Sequence, residues 1–324
     1  MANIHDIAHA SGYSVSTVSR VINHRKYVTD DVRQKVEQVM RDLDYVPNAV
    51  ARDLSMGNTH NIGVVVPHSQ HPYFTQITDG IMEAAFAAGY RMVLLPSKYD
   101  ERVERHYLEQ LRQRAFDAII FTSRALPLKE LAEDDAHAAN GRIVCCENPG
   151  DLPLAAAYTE RDETYKTAFK WIKARGYKRI GLLLSREYAL SATSQSMIEA
   201  YKDVFGTLPL SELIRTGVVN NQDGYDSAQY YIDHALQPDF IFGNGDDIVA
   251  NARQCYVDHG LTVPGLMGQE HQLSSTLLQL PTIDHHFNEL GRNAFALAIS
   301  DQVEQRPVTS TFIDPERLTD RVNK

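Results

Sequence analysis

Few clusters in this 324-residue chain have the residue types and spacing that chemistry requires. His285-His286 is the most conspicuous pair. Adjacent residues on a strand point to opposite faces, so two neighbouring imidazoles make a poor metal site. Asp134-Asp135 and Glu130 with Glu133 read more simply as a solvated helical face. Cys145 and Cys146 are neighbours and Cys255 stands apart, with no CxxC spacing. Small buried hydrophobes in a reducing compartment are the expectation for all three. A GxxxxGK phosphate loop, a GxSxG elbow, an HExxH helix and a GxGxxG turn are all missing from the sequence. The reading is of a binding protein and not an enzyme, with no cofactor and no metal site expected.

Polar and aromatic features of another kind remain. Tyr73 and Phe74 can wall a ring-shaped ligand. In the loop Gly243-Asn244-Gly245-Asp246-Asp247, either Asn244 or Asp246 can face a cleft. Asp246 serves equally well as a helix cap with the glycines as turn residues. Near the N-terminus, Ser16, Thr17, Ser19 and Arg20 share one short segment.

The elements around that segment are legible. Asn3 can cap a helix beginning near Ile4, and Gly12 can take the left-handed corner that ends it. Ser14 caps the next helix, Val15 to Asn23, whose stripe is Val15, Val18 and Ile22, leaving the hydroxyls and Arg20 on other faces. Two short helices about a glycine-bearing turn make a helix-turn-helix. Thr29 caps a third helix through Asp44, sealed by Val32, Val36, Val39, Met40 and Leu43. Pattern alone leaves a three-helix bundle for protein contact open. Pro47 then starts a two-turn helix that is marginal alone in water and should form only when docked.

Beyond a strand at 62–67, helix-like stretches at 73–88, 101–114, 127–139, 161–175, 193–205, 224–235, 246–259 and 287–300 alternate with strand-like runs. Those runs are 91–95, 118–121, 143–146, 180–184, 240–242 and 265–267. This alternation predicts parallel α/β sheets, too extensive for one sheet, and hence two subdomains with a cleft at the strand ends.

The strings Ile4-His-Asp-Ile-Ala, Val15-Ser-Thr-Val-Ser-Arg-Val-Ile-Asn23, Val28-Thr29 and Tyr45-x-Pro-Asn48-x-x-Ala51-Arg52 resemble the headpiece and hinge of the lactose-repressor (LacI/GalR) family. His71-Pro-Tyr-Phe74, Asp79-Gly-Ile81, Arg175-Gly-Tyr-Lys-Arg-Ile-Gly181 and Leu290-Gly-x-x-Ala294 extend the resemblance into the core. Ser123-Arg-Ala and Glu160-Arg-Asp-Glu-Thr-Tyr165 resemble the catabolite-control branch of that family, its B type. The resemblance implies a helix-turn-helix headpiece (1–46), a hinge helix and linker (47–60), and a two-lobed α/β core of the periplasmic-binding-protein type (61–324) that serves as effector and dimerisation unit. It implies that Val15, Ser16 and Thr17 face major-groove base edges, that Arg20 contacts DNA, and that Asn23 and Thr29 meet phosphates. Asn48 and Ala51 belong to the hinge contacts, and Leu54 is the wedge that opens a base step from the minor groove. The implied partners are a double-stranded operator, a second copy of the chain, and either a small-molecule effector or serine-phosphorylated HPr, for which Arg292 is the candidate contact. Apolar residues on the helices from Tyr73 and Glu101 are where a dimer seam would lie, although plain core suits most of them.

The chain departs from the family pattern in its effector site. Thr159 stands where an aspartate is common, Met197 where an arginine is common, and Gly268-Gln269-Glu270 where a Gly-x-Asp turn is common. Methionine cannot give the paired bonds that arginine gives to sugar hydroxyls, so the cleft takes a different ligand or none. Net charge is −10. Residues 1–60 are balanced, with Arg20, Arg25, Lys26, Arg33, Lys35, Arg41 and Arg52 against Asp6, Asp30, Asp31, Glu37, Asp42, Asp44 and Asp53. Bulk electrostatics therefore predicts no DNA binding, which rests on motif geometry. With no signal-peptide pattern at the start and no apolar run of about 20 residues, a cytoplasmic location is expected and a periplasmic binding protein is disfavoured.

Overall fold

A computed structural model describes residues 2–23, 25, 27–47, 57–68, 71–137 and 141–315. The chain divides into two compact units, residues 1–60 and 61–324. Most of the expected hinge helix at 47–55 lies outside the described residues.

The first unit holds three helices: α1 (Ile4–Ser11), α2 (Val15–Ile22) and α3 (Asp30–Asp42). Asn3 and Asp6 form a reciprocal capping box at the start of α1, and Gly12 ends it at φ 76°. The Ser14 hydroxyl accepts from the Thr17 amide at the start of α2. Thr29 occupies the cap position of α3, but its side chain makes no capping bond there. Ile7, Val18, Val21 and Val36 form the centre of the bundle. Val15 and Ile22, placed on the inner stripe by spacing, are only half-buried, because Val18 and Val21 point more directly between α1 and α3. Leu43 is 41% exposed. It lies just past the last helical residue, so it leaves the sealing stripe.

The second unit has two lobes. In the first, β1 (Asn61–Val66), β2 (Arg91–Pro96), β3 (Ala118–Phe121), β4 (Arg142–Cys145) and β5 (Ala155–Glu160) form a parallel sheet with β11 (Gln305–Thr309), in the order β11-β5-β4-β3-β1-β2. In the second, β6 (Ile180–Leu183), β7 (Ile214–Arg215), β8 (Phe240–Gly243) and β9 (Gly265–Met267) form a parallel sheet ordered β7-β6-β8-β9. Period-2 alternation explains the layers. Ile62, Val64 and Val66 join one cluster with the helices α4 (Pro72–Ala87) and α12 (Phe287–Ala298). Val65 joins the opposite cluster with Leu108 and Leu111 of α5 (Glu101–Arg112) and Leu131 of α6 (Leu128–His137). The second lobe repeats the scheme. Ile180 and Leu182 meet α7 (Asp162–Ala174) and α8 (Ala192–Phe205). Leu183 and Ile241 meet α9 (Asn221–Asp233) and α10 (Asp246–Asp258).

The chain passes between lobes three times: after Glu160, between β10 (Thr282–Asp284) and α12, and between β11 and β12 (Thr311–Ile313), with β10 and β12 paired antiparallel. One buried network ties the three crossings together. His285 lies within 2.8 Å of Gln269 Oε1 through Nε2 and 2.7 Å of Ser310 Oγ through Nδ1. Tyr165 donates its hydroxyl to the same Gln269 oxygen at 2.8 Å, and Thr164 donates to the Ser310 carbonyl at 2.9 Å. Burial, and then Arg161 and His286, push the His285 pKa well below the ordinary range. The imidazole is thus a neutral pivot, and its partner Gln269 closes the network by donating to Gly243 O at 3.0 Å. His285 and His286 lie just past β10, not on a strand, with His285 buried and His286 half-buried at φ 53°.

Strand patterning alone leaves out β5, β7, β10, β11 and β12, and the six-residue helix α11 (Leu273–Leu278). Most of these strands are short, or built from alanine and polar residues. In β11, Pro307 is tolerated because the strand lies at a sheet edge.

Candidate DNA-reading helix and ligand cleft

In the first unit, α2 turns Val18 and Val21 inward and leaves Ser16 and Arg20 exposed, one helical turn apart on one face. Val15 and Thr17 are half-buried beside them. The Ser14 hydroxyl links this start of the helix, lying 3.0 Å from Ser16 Oγ and 2.9 Å from Thr17 Oγ1. Hydroxyls held this way can exchange partners with a base edge or a phosphate. At the far end, Asn23 gives its amide to Ser19 Oγ at 3.3 Å, and its Oδ1 accepts no hydrogen bond among the described residues. Thr29 is exposed at the N-terminus of the 13-residue α3, beside amides that suit a phosphate oxygen. Asn48, Ala51 and Leu54 lie outside the described residues.

In the second unit, both sheets are wound in the same sense. The switch points are β1/β3 in the first lobe and β6/β8 in the second, and ligands of such sheets bind beyond the carboxyl ends of the strands there. Side chains from these ends meet across the lobes. His71, after β1, places Nδ1 3.2 Å from Glu270 Oε1, after β9. Arg186, after β6, lies over the Tyr99 ring at 4.5 Å. Five polar atoms in these segments find no hydrogen-bond partner among the described residues: His68 Nδ1, His71 Nε2, Thr159 Oγ1, Asn244 Oδ1 and Glu270 Oε2. Buried polar atoms are rarely left so, and a polar ligand is what would satisfy them. Phe74 meets His68 edge-on at 4.9 Å and Tyr73 at 4.8 Å, which gives the cleft an aromatic wall. The Tyr73 hydroxyl is already committed to the Thr122 carbonyl at 2.7 Å. Asn244 holds Val218 O through its amide at 2.8 Å, and its side-chain oxygen is left without a partner among the described residues.

Two candidate effector residues take structural roles. Met197 is wholly buried in the apolar cluster of the second lobe, where its length fills core space. Asp246 is the first residue of α10 and fully buried. Its carboxylate accepts from the Gln272 amide and the Thr282 hydroxyl, each at 2.7 Å, and so clamps the 268–272 loop. Burial raises its pKa to about 7. Four cleft residues, His68, His71, Tyr99 and Arg186, lie outside the residues that the sequence singles out. His68, Tyr99 and Arg186 come together only through tertiary packing. His71 lay inside the quoted His71-Pro-Tyr-Phe74 string, which was the available signal. Of the catabolite-branch string, Arg124 pairs with Glu147 at 3.0 Å. Among the described residues no group of histidines, cysteines and carboxylates is arranged to hold a metal ion, and no helix is long and apolar enough to cross a membrane.

Comparison with known proteins matches both units. Residues 3–48 match the family described as bacterial regulatory proteins, lacI family. Residues 59–314 match the periplasmic binding proteins and sugar binding domain of LacI family. The chain is 36% identical to catabolite control protein B of Bacillus subtilis over 302 residues, covering 93% of this chain and 96% of that protein. It is 27% identical to the HTH-type transcriptional repressor PurR of Pectobacterium carotovorum over 317 residues, covering 94% and 92%. The lac repressor dimer bound to operator and an anti-inducer superposes with a TM-score of 0.79 at 19% identity, covering 97% of this chain and 98% of that one. The helix-turn-helix unit, the two-lobed parallel core and these near full-length matches agree: the chain is a DNA-binding transcription regulator and not an enzyme, and it belongs to the LacI family of bacterial regulatory proteins.

Proposed function

We propose that this chain is a dimeric repressor of carbon-source genes in the cytoplasm, reading a pseudo-palindromic operator with an affinity set through its core. The observation that carries the reading is the exposed pair Ser16 and Arg20 on α2, backed by a closed apolar bundle. For a chain of net charge −10, that face, and not bulk attraction, must supply the recognition. Val15 and Thr17 extend the base-reading edge, and Asn23 and Thr29 suit the flanking phosphates. In this reading the hinge helix and the operator order each other, and Leu54 enters the minor groove and kinks the centre of the site. The name of the Bacillus subtilis relative supports carbon-source control.

A dimer is supported by an apolar side on the first lobe that none of the described residues covers. Phe86 is 85% exposed on α4, with Met82 beside it, and Leu94 is exposed on the edge strand β2. The helix α5 fits a seam less well, since Leu108 and Leu111 are core and its outer face carries Arg105 paired with Glu101 and Glu130. The cleft suits a small-molecule effector, because Thr159, Asn244 and Glu270 each carry an unpaired oxygen. Serine-phosphorylated HPr at Arg292 would have to displace Glu83, which pairs with it at 3.2 Å.

Selecting sites from a random DNA pool with the purified protein, with and without serine-phosphorylated HPr, tests the reading. A pseudo-palindrome with a flexible pyrimidine–purine step at its centre is the expected product. Enrichment only with the phosphoprotein would make HPr a corepressor, and no enriched site under either condition overturns the proposal.

A further inference from the structure

At the contact between His71 and Glu270, an imidazole of the first lobe and a carboxyl of the second meet directly across the cleft. His71 Nδ1 also accepts from the Tyr73 amide at 3.3 Å, capping α4. A nitrogen that accepts has no proton of its own, so a carboxylate facing it would be repelled. The contact is attractive when Glu270 brings the proton and donates it to Nδ1. The surroundings agree. Burial, and then Asp246 and Asp247, raise Glu270 well above the ordinary carboxylate range. Burial, and then His68, lower His71 to about 4, opposed by the backbone of Asn244. An un-ionised acid and a neutral imidazole make a sound buried pair.

The backbone at Glu270 adds a second line of argument. Glu270 and His271 have φ of 84° and 47°, a left-handed pair built without glycine. A non-glycine residue held there needs surrounding bonds that fix it. Three are present: the Glu270 amide to Ile283 O at 2.6 Å, Gln76 Nε2 to Glu270 O at 3.4 Å, and the side chain to His71. Two of the three cross from the second lobe to α4 or its cap.

We propose that Glu270 and His71 form a latch that closes the lobes without any ligand, so that an effector enters by competing for this pair. The competition rests on the reading of the cleft as an effector site, whereas the latch itself does not. A competitor must match what the pair offers, an acid proton and an imidazole lone pair, and gains further if it also satisfies the unpaired oxygens of Asn244 and Thr159. That chemistry favours an uncharged ligand carrying both donors and acceptors over an anion.

The test is a distance between spin labels at Glu109→Cys and Lys202→Cys, exposed positions on opposite lobes, in the full-length protein without added ligand. Cys145, Cys146 and Cys255 are buried and do not label. The otherwise unaltered protein should give one narrow distribution. Glu270→Gly removes the latch while placing glycine where a left-handed backbone suits it, so the fold is retained and the distribution should shift and broaden. Glu270→Gln keeps a proton donor for Nδ1 and should stay closed. His71→Ala should open the lobes as Glu270→Gly does. Identical distributions for the unaltered protein and Glu270→Gly overturn the latch. Opening by Glu270→Gln as complete as by Glu270→Gly overturns the donated proton. A cleft that never takes a ligand would leave all these results unchanged, so the latch and the effector site fail separately.

Discussion

Replacing Gly80 by alanine sets two effects of opposite sign against each other. Gly80 sits inside α4, where alanine is normally the better residue by about 1 kcal/mol. Here α4 crosses α12 with glycine on both sides. A Cβ at Gly80 would lie 2.1 Å from the Asn288 carbonyl oxygen, and one at Gly291 would lie 2.2 Å from the Ile77 carbonyl oxygen. Ordinary carbon–oxygen contacts begin at about 3.3 Å, so the helices would have to part by roughly 1 Å. The obstacle is backbone, which cannot rotate aside as a side chain would. Overpacking of this kind costs about 1–3 kcal/mol, and the upper end applies where nothing can yield. With the helical gain subtracted, Gly80→Ala should destabilise the second unit by about 2 kcal/mol, lowering Tm by about 4–8 °C. Calorimetry of the full-length protein reads this directly, and Gly224→Ala, whose Cβ would lie 2.2 Å from Ile248 O in the other lobe, should behave alike. An unchanged or raised Tm for Gly80→Ala would show that helix propensity wins and that the crossing is not tight.

Three further outcomes are expected. Asp246, raised to about 7 by burial, holds its proton more tightly folded than unfolded, so its stabilising contribution is complete below the ordinary aspartate range near 3.8 and is lost as pH rises through 7. Urea midpoints of the unaltered protein measured against Asp246→Asn should therefore fall between about pH 4 and 8, and a constant difference would refute the assignment. Ser16→Ala should relax base preference by about 1 kcal/mol while weakening total affinity less, whereas equal loss on selected and random DNA in a gel-shift titration contradicts a base-reading role. Phe86→Glu should weaken self-association by about 2 kcal/mol or more in sedimentation equilibrium, and unchanged association moves the seam away from α4.

The headpiece was legible because its signals are local. Asn3, Gly12 and Ser14 act within four residues of where they stand, and the bundle stripes need only helical period. Thr29 shows the limit, since a correct cap position does not guarantee a cap bond. In the core, strands rich in valine, isoleucine and leucine were readable from composition. Ala155–Glu160 and Gln305–Thr309 were not, because they become strands by pairing with each other across about 150 intervening residues. The candidate ligand residues divide on the same physical ground. Asn244 and Thr159 carry unpaired oxygens at strand ends, which topology predicts. Met197, placed by its helix position, turned into the core, and Glu270 became half of a pair whose other half, His71, lies about 200 residues earlier. Spacing carries no record of which loops face each other over a cleft.

The three crossings also set an order on synthesis. The N-terminal bundle has all its helices once α3 has left the ribosome, and the sheet of the second lobe has all its strands at Met267. The first lobe is begun earlier yet must wait longer. Its helix α12 and its edge strand β11 emerge only at Phe287–Ala298 and Gln305–Thr309. Until then Ile62, Val64, Ile77 and Ile81 lack the helix that shares their cluster, while more than a hundred further residues are being made. The lobe translated first thus receives the last strand of its sheet only after the sheet of the second lobe has all of its strands, and its apolar face stays uncovered through that interval.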